Sequence, residues 1–293
     1  MSMEALIDVL GDGLIDSIRL VPFLLITYVI MEYLEHKTTT RLRAAVRRAG
    51  RLGPLAGSVA GVFPQCGFSA AASSLYAGGL LTTGTLIAVF LSTSDEMLPV
   101  FLSESVDIRA ILFILGLKVA AGALTGFVVD VVFRLRSFPI RYKEIHTMCE
   151  SEHCGCEEGI FKSAVKHTLK IFVFIFIITV ILNMLIFFFG EEHLADLMSK
   201  SPFLGPVLAG IVGLIPNCAS SVVITQLFLN HLISFGTMMA GLLVGAGVGL
   251  LVLFRTNKRW KENLSILGIL YGSGVLWGIA LNALDAVMGF FIS

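Results

Sequence analysis

Long apolar stretches separated by short polar ones make up most of the chain. The apolar segments are 14–35, 52–79, 83–103, 108–134, 161–189, 204–231, 233–254 and 263–292. Each is about twenty residues or longer, the length a helix needs to cross the hydrocarbon core of a bilayer. Two of them carry a proline near the middle: Pro64-Gln65-Cys66-Gly67 in 52–79 and Pro216-Asn217-Cys218-Ala219 in 204–231. A proline removes a backbone donor and clashes with the preceding turn, so both segments are expected to break there.

The polar stretches orient the segments. Lys37, Arg41, Arg43, Arg47, Arg48 and Arg51 fill 37–51 with no acid among them, Arg134, Arg136, Arg141 and Lys143 follow the fourth segment, and Arg255, Lys258, Arg259 and Lys261 follow the seventh. Glu104 and Asp107, and later Glu191, Glu192 and Asp196, dominate the remaining loops. The positive-inside rule puts the basic loops in the cytoplasm. Residue 51 is then inside and residue 104 outside, yet two apolar segments lie between them. One must turn back, and 52–79 is the candidate. Each of its limbs has roughly twelve residues, about 18 Å at helical rise and a little over half a bilayer. Such broken backbone is tolerated at membrane depth only inside protein or beside a wet cavity.

A shift of 152 residues superimposes Leu52–Asp130 on Leu204–Asn282 without a gap. Gly61, Pro64, Cys66 and Ser69 meet Gly213, Pro216, Cys218 and Ser221, Gln65 meets Asn217, and Gly116, Gly122 and Gly126 meet Gly268, Gly274 and Gly278. Chance apolar similarity would align leucines and alanines, but not this set, so the chain reads as a repeat. The stretch before the first broken segment is basic and the one before the second, 190–203, is acidic. The two repeats are therefore expected to be inverted. The predicted fold is an all-α polytopic membrane protein, an inverted structural repeat of six full spans plus two re-entrant helical hairpins. Its parts are repeat 1 at 1–135, a cytoplasmic Cys/His-rich linker at 136–160 and repeat 2 at 161–293. The N-terminus is expected outside, and the acidic start from Met1 to Asp16 lacks the basic region of a cleaved signal peptide.

Three constellations are candidates for chemistry. Hairpins entering from opposite faces would bring Pro64, Gln65, Cys66 and Ser69 near Pro216, Asn217, Cys218, Ser220 and Ser221 at the bilayer centre, the pattern of a secondary transporter's binding site. Amides, hydroxyls and free helix ends there offer hard ligands, and Cys66 and Cys218 offer soft ones. The plainer reading makes the amides helix caps and the cysteines small packing residues. The second constellation is Thr93, Ser94, Asp95 and Glu96 within the third segment. Read as one continuous helix, it points the two acids about 100° apart. One acid is expected to face the site and one to pair with Lys118 in the next segment; the plainer reading is a structural ion pair alone. The equivalent stretch of repeat 2 is Gly245-Ala246-Gly247-Val248, so acids come from one side and close backbone from the other. The third is the linker, where His146, Cys149, His153, Cys154 and Cys156 offer metal ligands in a compartment that keeps thiols reduced. Its alternative is a solvated acidic linker.

Composition removes other function classes. Charged residues make up 14% of the 293 and hydrophobic residues 56%, where soluble domains carry about 25% charged residues. The net charge is zero, so nothing suggests a nucleic-acid partner. No G-x-x-x-x-G-K-[ST] sequence is present, which argues against ATP hydrolysis. A membrane-embedded lipid-pyrophosphate phosphatase would need deep cations to hold phosphate, and Lys118 is the one deep cation expected. A passive channel or metal sensor is a further alternative. The expected partners are the lipid bilayer, a small inorganic ion or metalloid, and a coupling proton or ion, with a homodimer left open. No cofactor is assigned beyond metal ions at the hairpin tips and in the linker, with Cys66, Cys218, Asp95 and Glu96 as the ligands at the tips.

The motif pair Pro64 to Ser69 and Pro216 to Ser221, the inverted repeat and the Cys/His-rich linker resemble the ten-transmembrane heavy-metal exporter family. That family is related by name to arsenic permeases, and its members are commonly labelled manganese transporters. The resemblance covers nearly the whole chain when each hairpin counts as two helices. It implies export of a metal or metalloid from a bacterial or archaeal cell across the inner membrane, with the two tip motifs and the linker carrying the site. The donor types divide: Mn²⁺ favours the oxygens of Asp95, Glu96, Gln65 and Asn217, whereas the tip thiols favour a softer species such as trivalent arsenic.

Overall fold

The computed structural model describes residues 52–62, 66–94, 97–135, 203–216 and 218–288, with single helical positions within 21–29 and 165–177. The rest of the predicted spans 14–35 and 161–189, the basic stretch 37–51 and the linker 136–160 lie outside the described residues. Within them every regular element is helical: α1 Gly53–Gly61, α2 Cys66–Ala77, α3 Thr83–Ser92, α4 Met97–Ser103, α5 Ile108–Leu135, α6 Leu204–Gly213, α7 Cys218–Leu229, α8 Phe235–Val244, α9 Gly249–Thr256 and α10 Trp260–Met288. Four stretches among them are long and apolar enough to cross a membrane: Thr83–Ser103, Ile108–Leu135, Phe235–Thr256 and Trp260–Asp285.

Burial follows the small residues more than the large ones. In α5, Ile111, Ile114, Lys118, Ala121, Gly122, Gly126 and Val129 form a buried stripe at helical spacing. The opposite face presents Leu112, Phe113, Leu124, Val128 and Val131 outward. An apolar exposed face with glycines and a lysine buried behind it suits a helix solvated by lipid, where close packing rather than hydrophobicity joins helices. The middle of the bundle holds α3 and α8, in which every residue from Gly84 to Ser92 and from Phe235 to Val244 is buried.

The breaks fall where the prolines predict and also within two spans read as continuous. Helix α1 ends at Gly61 and α2 begins at Cys66; α6 ends at Gly213 and α7 begins at Cys218. The apolar stretch 83–103, read from sequence as one helix, is interrupted too. Thr93 has extended backbone after α3, and α4 starts only at Met97. Asp95 and Glu96, whose directions were argued from one continuous helix, lie outside the described residues. The second crossing breaks at the equivalent place, between Val244 and Gly249, with Gly247 at φ 53°.

Local structure recurs at the 152-residue shift in atomic detail. Thr82 caps α3 by accepting from the Thr85 N–H at 3.1 Å, and Ser234 caps α8 by accepting from the Thr237 N–H at 3.3 Å. Both caps satisfy N–H groups that a helix start leaves without partners. Asp130 accepts from Gly84 N and Thr82 Oγ1, both at 2.8 Å. Asn282 accepts from Gly236 N at 3.0 Å and Ser234 Oγ at 2.8 Å. After α2, Gly79 turns left-handed and Leu80 N donates to Leu75 O; after α7, His231 does the same and Leu232 N donates to Leu227 O. His231 is thus the residue that ends α7. A Cβ on Gly84 would overlap the Gly126 carbonyl oxygen, and one on Gly236 the Gly278 carbonyl oxygen.

Contacts also fix levels along α3. Gly53 lies against Thr85, Gly61 lies against Ser92, and Tyr76 Oη is 3.3 Å from Thr83 Oγ1. Gly53 and Tyr76 thus both lie at the start of α3, while Gly61, the last residue of α1, lies at its end. In the second half Gly213 approaches Gly241, and the Phe228 and Phe235 rings meet edge to face at 6.0 Å. Across the halves, α2 packs on α9 and α7 packs on α4. Ser73 Oγ donates to Gly249 O at 2.7 Å, and Tyr76 O–H donates to Glu262 just beyond the end of α9. Trp277 Nε1 donates to Thr125 Oγ1 at 3.0 Å, and these two positions are 152 apart.

Two outcomes follow for stability in detergent. Gly126→Ala places a methyl 2.9 Å from both Ala88 Cβ and Pro54 Cβ, so unfolding should lose about 1–3 kcal/mol; Gly116→Ala, with nothing within 4 Å, should not. Asp130→Asn, which copies Asn282, should cost under about 1 kcal/mol, whereas Asp130→Leu strands two donors and should cost about 2 kcal/mol or more. Thermal unfolding midpoints of the purified variants check both pairs.

Candidate functional site

The interruption of α3–α4 leaves its flanking polar residues inside the bundle. Ser92, Thr93 and Ser94 are all buried. Ser92 Oγ donates to Ala88 O at 2.8 Å and Thr93 Oγ1 to Val89 O at 2.7 Å. This back-bonding occupies carbonyls of the preceding turn and competes with helix continuation. Ser94 Oγ turns to Ser92 O at 3.1 Å. The α8–α9 interruption brings Gly245 and Gly247 to the same region. Helix α7 contributes Ser220, whose Oγ donates to Ile215 O at 3.3 Å, and Ser221, whose carbonyl accepts from Thr225 Oγ1 at 2.7 Å.

These groups enclose one small cavity. Thr93, Ser94, Met97 and Lys118 line it from the first half, and Ser220, Ser221, Leu242, Gly245 and Gly247 from the second. Its volume of about 10 Å³ holds about one water or an ion of similar size. Lys118 reaches it from α5 with 1% of its surface exposed. The ammonium donates to Thr93 O and, at 3.1 Å, to Leu242 O. Polar residues (Thr93, Ser94, Lys118, Ser220 and Ser221) share its lining with Met97, Leu242 and two glycines.

Of the residues expected from sequence, the cavity gathers Thr93, Ser94, Lys118, Ser220 and Ser221, together with the glycine stretch of repeat 2. Ser69 is buried elsewhere, packed against Gly249. Pro216 is a half-buried residue of the α6–α7 break. Cys66 and Cys218 begin α2 and α7, equivalent helix starts, but their side chains lie outside the description. Pro64, Gln65, Asp95, Glu96, Asn217, His146, Cys149, His153, Cys154 and Cys156 also lie outside the described residues. Among the described residues no group of three His, Cys, Asp or Glu side chains gathers to hold a metal.

Sequence reasoning missed Met97, the Leu242 carbonyl and both mid-span breaks. Two signals were available. Pro99 lacks the N–H that would bond the carbonyl of residue 95 in a helix, and its ring crowds that turn. The pair Gly245 and Gly247 weakens a helix at the equivalent place, since glycine is the poorest non-proline helix former.

The comparisons with known proteins agree with the helical, membrane-spanning architecture. No curated protein and no solved structure matches the chain. A family model described as "Putative, 10TM heavy-metal exporter" matches residues 2–192 and 156–290. The two matched regions together take in almost the whole chain, so this all-helical integral membrane protein belongs to the ten-transmembrane heavy-metal exporter family.

Proposed function

We propose that the chain is a secondary-active transporter that exports a metal or metalloid by alternating access, with its site between two inverted halves. The observation that carries this reading is the shared cavity: two spans, equivalent under the 152-residue shift, break at the same position and line one polar chamber. Equivalent broken helices meeting around a polar chamber are the arrangement by which such transporters expose a site to either side.

The two proline-broken segments are re-entrant hairpins in this proposal. It is supported by Gly53 and Tyr76 both lying at the start of α3 while Gly61 lies at its end. Inversion is supported by the Tyr76–Glu262 hydrogen bond, which sets the start of α3 level with the end of α9. The Trp277–Thr125 bond supports it further, because equivalent residues touch where a two-fold axis passes. With the basic loops inside, the first hairpin enters from the cytoplasm and the second from outside. Cargo then binds at Gln65, Cys66, Asp95, Glu96, Asn217 and Cys218, and the gradient of a proton or another ion drives it outward. Asp95, Glu96 and the amides suit Mn²⁺ or another hard divalent ion, and the thiols suit trivalent arsenic. The linker ligands His146, Cys149, His153, Cys154 and Cys156 load or sense metal rather than carry it across.

Uptake into inverted vesicles tests the proposal. Wild-type protein should accumulate Mn²⁺ or arsenite saturably and only with an ion gradient. Cys66→Ala, Cys218→Ala and Asp95→Asn should each lower that uptake about tenfold or more, equivalent to about 1.4 kcal/mol of lost binding or barrier stabilisation, while inserting normally. Wild-type uptake in all three variants would remove the tip site, and uptake that never saturates and ignores the gradient would make the chain a channel.

A further inference from the structure

Helices α3 and α8 end inside the bundle, among buried residues. The final four carbonyls of a helix have no partner within it, and the aligned peptide dipoles place roughly half a negative charge at that end. The two ends come from different halves of the chain, and one side chain serves both. Lys118 donates to Thr93 O, just past the end of α3, and to Leu242 O in the last turn of α8. The position equivalent to Lys118 in the second half is Leu270, which is fully buried. Two converging negative ends are thus answered by one ammonium, delivered from one side.

The surroundings of that ammonium are those of a cation site. Thr93, Ser94, Ser220 and Ser221 line, together with Lys118 and Leu242, a cavity the size of one water. Carbonyl oxygens and hydroxyls at fixed positions can replace the hydration shell of a small cation. We infer that the C-terminal ends of α3 and α8 form a cation site whose tethered occupant is Lys118, and that Na⁺ or K⁺ enters the site when the ammonium is removed. The lysine locks the two broken spans to each other across the boundary between halves, so its exchange for a free cation is a step that can unlock them. The inference rests on these contacts and not on the transport reading, and its test reads no transport.

The test is thermal unfolding of purified full-length protein in detergent, in choline chloride, NaCl and KCl at equal ionic strength. In choline, Lys118→Met should unfold at a lower temperature than wild type, because buried carbonyls are stranded. Na⁺ or K⁺ should raise its midpoint by about 3 °C. Wild type and Lys118→Arg, whose site is already filled, should unfold at one temperature in all three salts. Should Lys118→Met fail to fold, Lys118→Gln carries the same comparison. An unchanged midpoint of the neutral variant across the salts overturns the inference, as does an equal alkali response in wild type. Combining Lys118→Met with Asp95→Asn and Glu96→Gln decides the ligands. A persisting response assigns the site to the carbonyls, and its loss moves the cation to the carboxylates and overturns the assignment.

Discussion

A backbone carbonyl at bilayer depth must find a donor within the protein, because lipid offers none and an unpaired group costs several kcal/mol. This chain creates the problem twice by stopping α3 at Ser92 and α8 at Val244 inside the bundle. Its answers are local and long-range together. Ser92 and Thr93 fold their hydroxyls back onto Ala88 and Val89. Lys118 bridges what those hydroxyls leave, bonding Thr93 O in its own half and Leu242 O in the other.

Bringing the two breaks together requires helices to approach more closely than large side chains allow. The glycines supply that approach: Gly84 on Gly126, Gly236 on Gly278, and Gly249 against Ser69. At these contacts backbone meets backbone, so packing and polar bonds act at the same places. Asp130 and Asn282 illustrate this, since each accepts from the start of the buried helix that its own helix touches. One half uses a carboxylate, with one oxygen for each donor, and the other an amide, with a single oxygen for both. The duplicated architecture therefore constrains shape more tightly than charge, which leaves the polar centre free to differ between halves, as Lys118 and Leu270 do.

Much of this was legible in the residues, and the reasons are physical. Pro64 and Pro216 marked breaks because a proline cannot donate, and the helices do stop at Gly61 and Gly213. The gapless 152-residue register foretold paired detail down to the caps at Thr82 and Ser234. The mid-span break of 83–103 was missed because its polar run from Ser92 to Glu96 was read as part of one continuous helix, and 233–254 is apolar on both sides of its own break. Pro99 and the Gly245–Gly247 pair were further local signs. Lys118 was expected near the acids, but its bond to the Leu242 carbonyl joins residues 124 apart. No pattern of side chains announces a backbone acceptor, so that contact was invisible before the fold was known.

The central claim is that the two halves enter the membrane from opposite sides. It is tested most directly by labelling single cysteines at Leu80 and Leu232, the equivalent residues just past α2 and α7, after the five native cysteines are replaced. With an impermeant thiol reagent, right-side-out vesicles should label Leu232→Cys alone and inverted vesicles Leu80→Cys alone. Labelling of both positions from the same side would contradict the account.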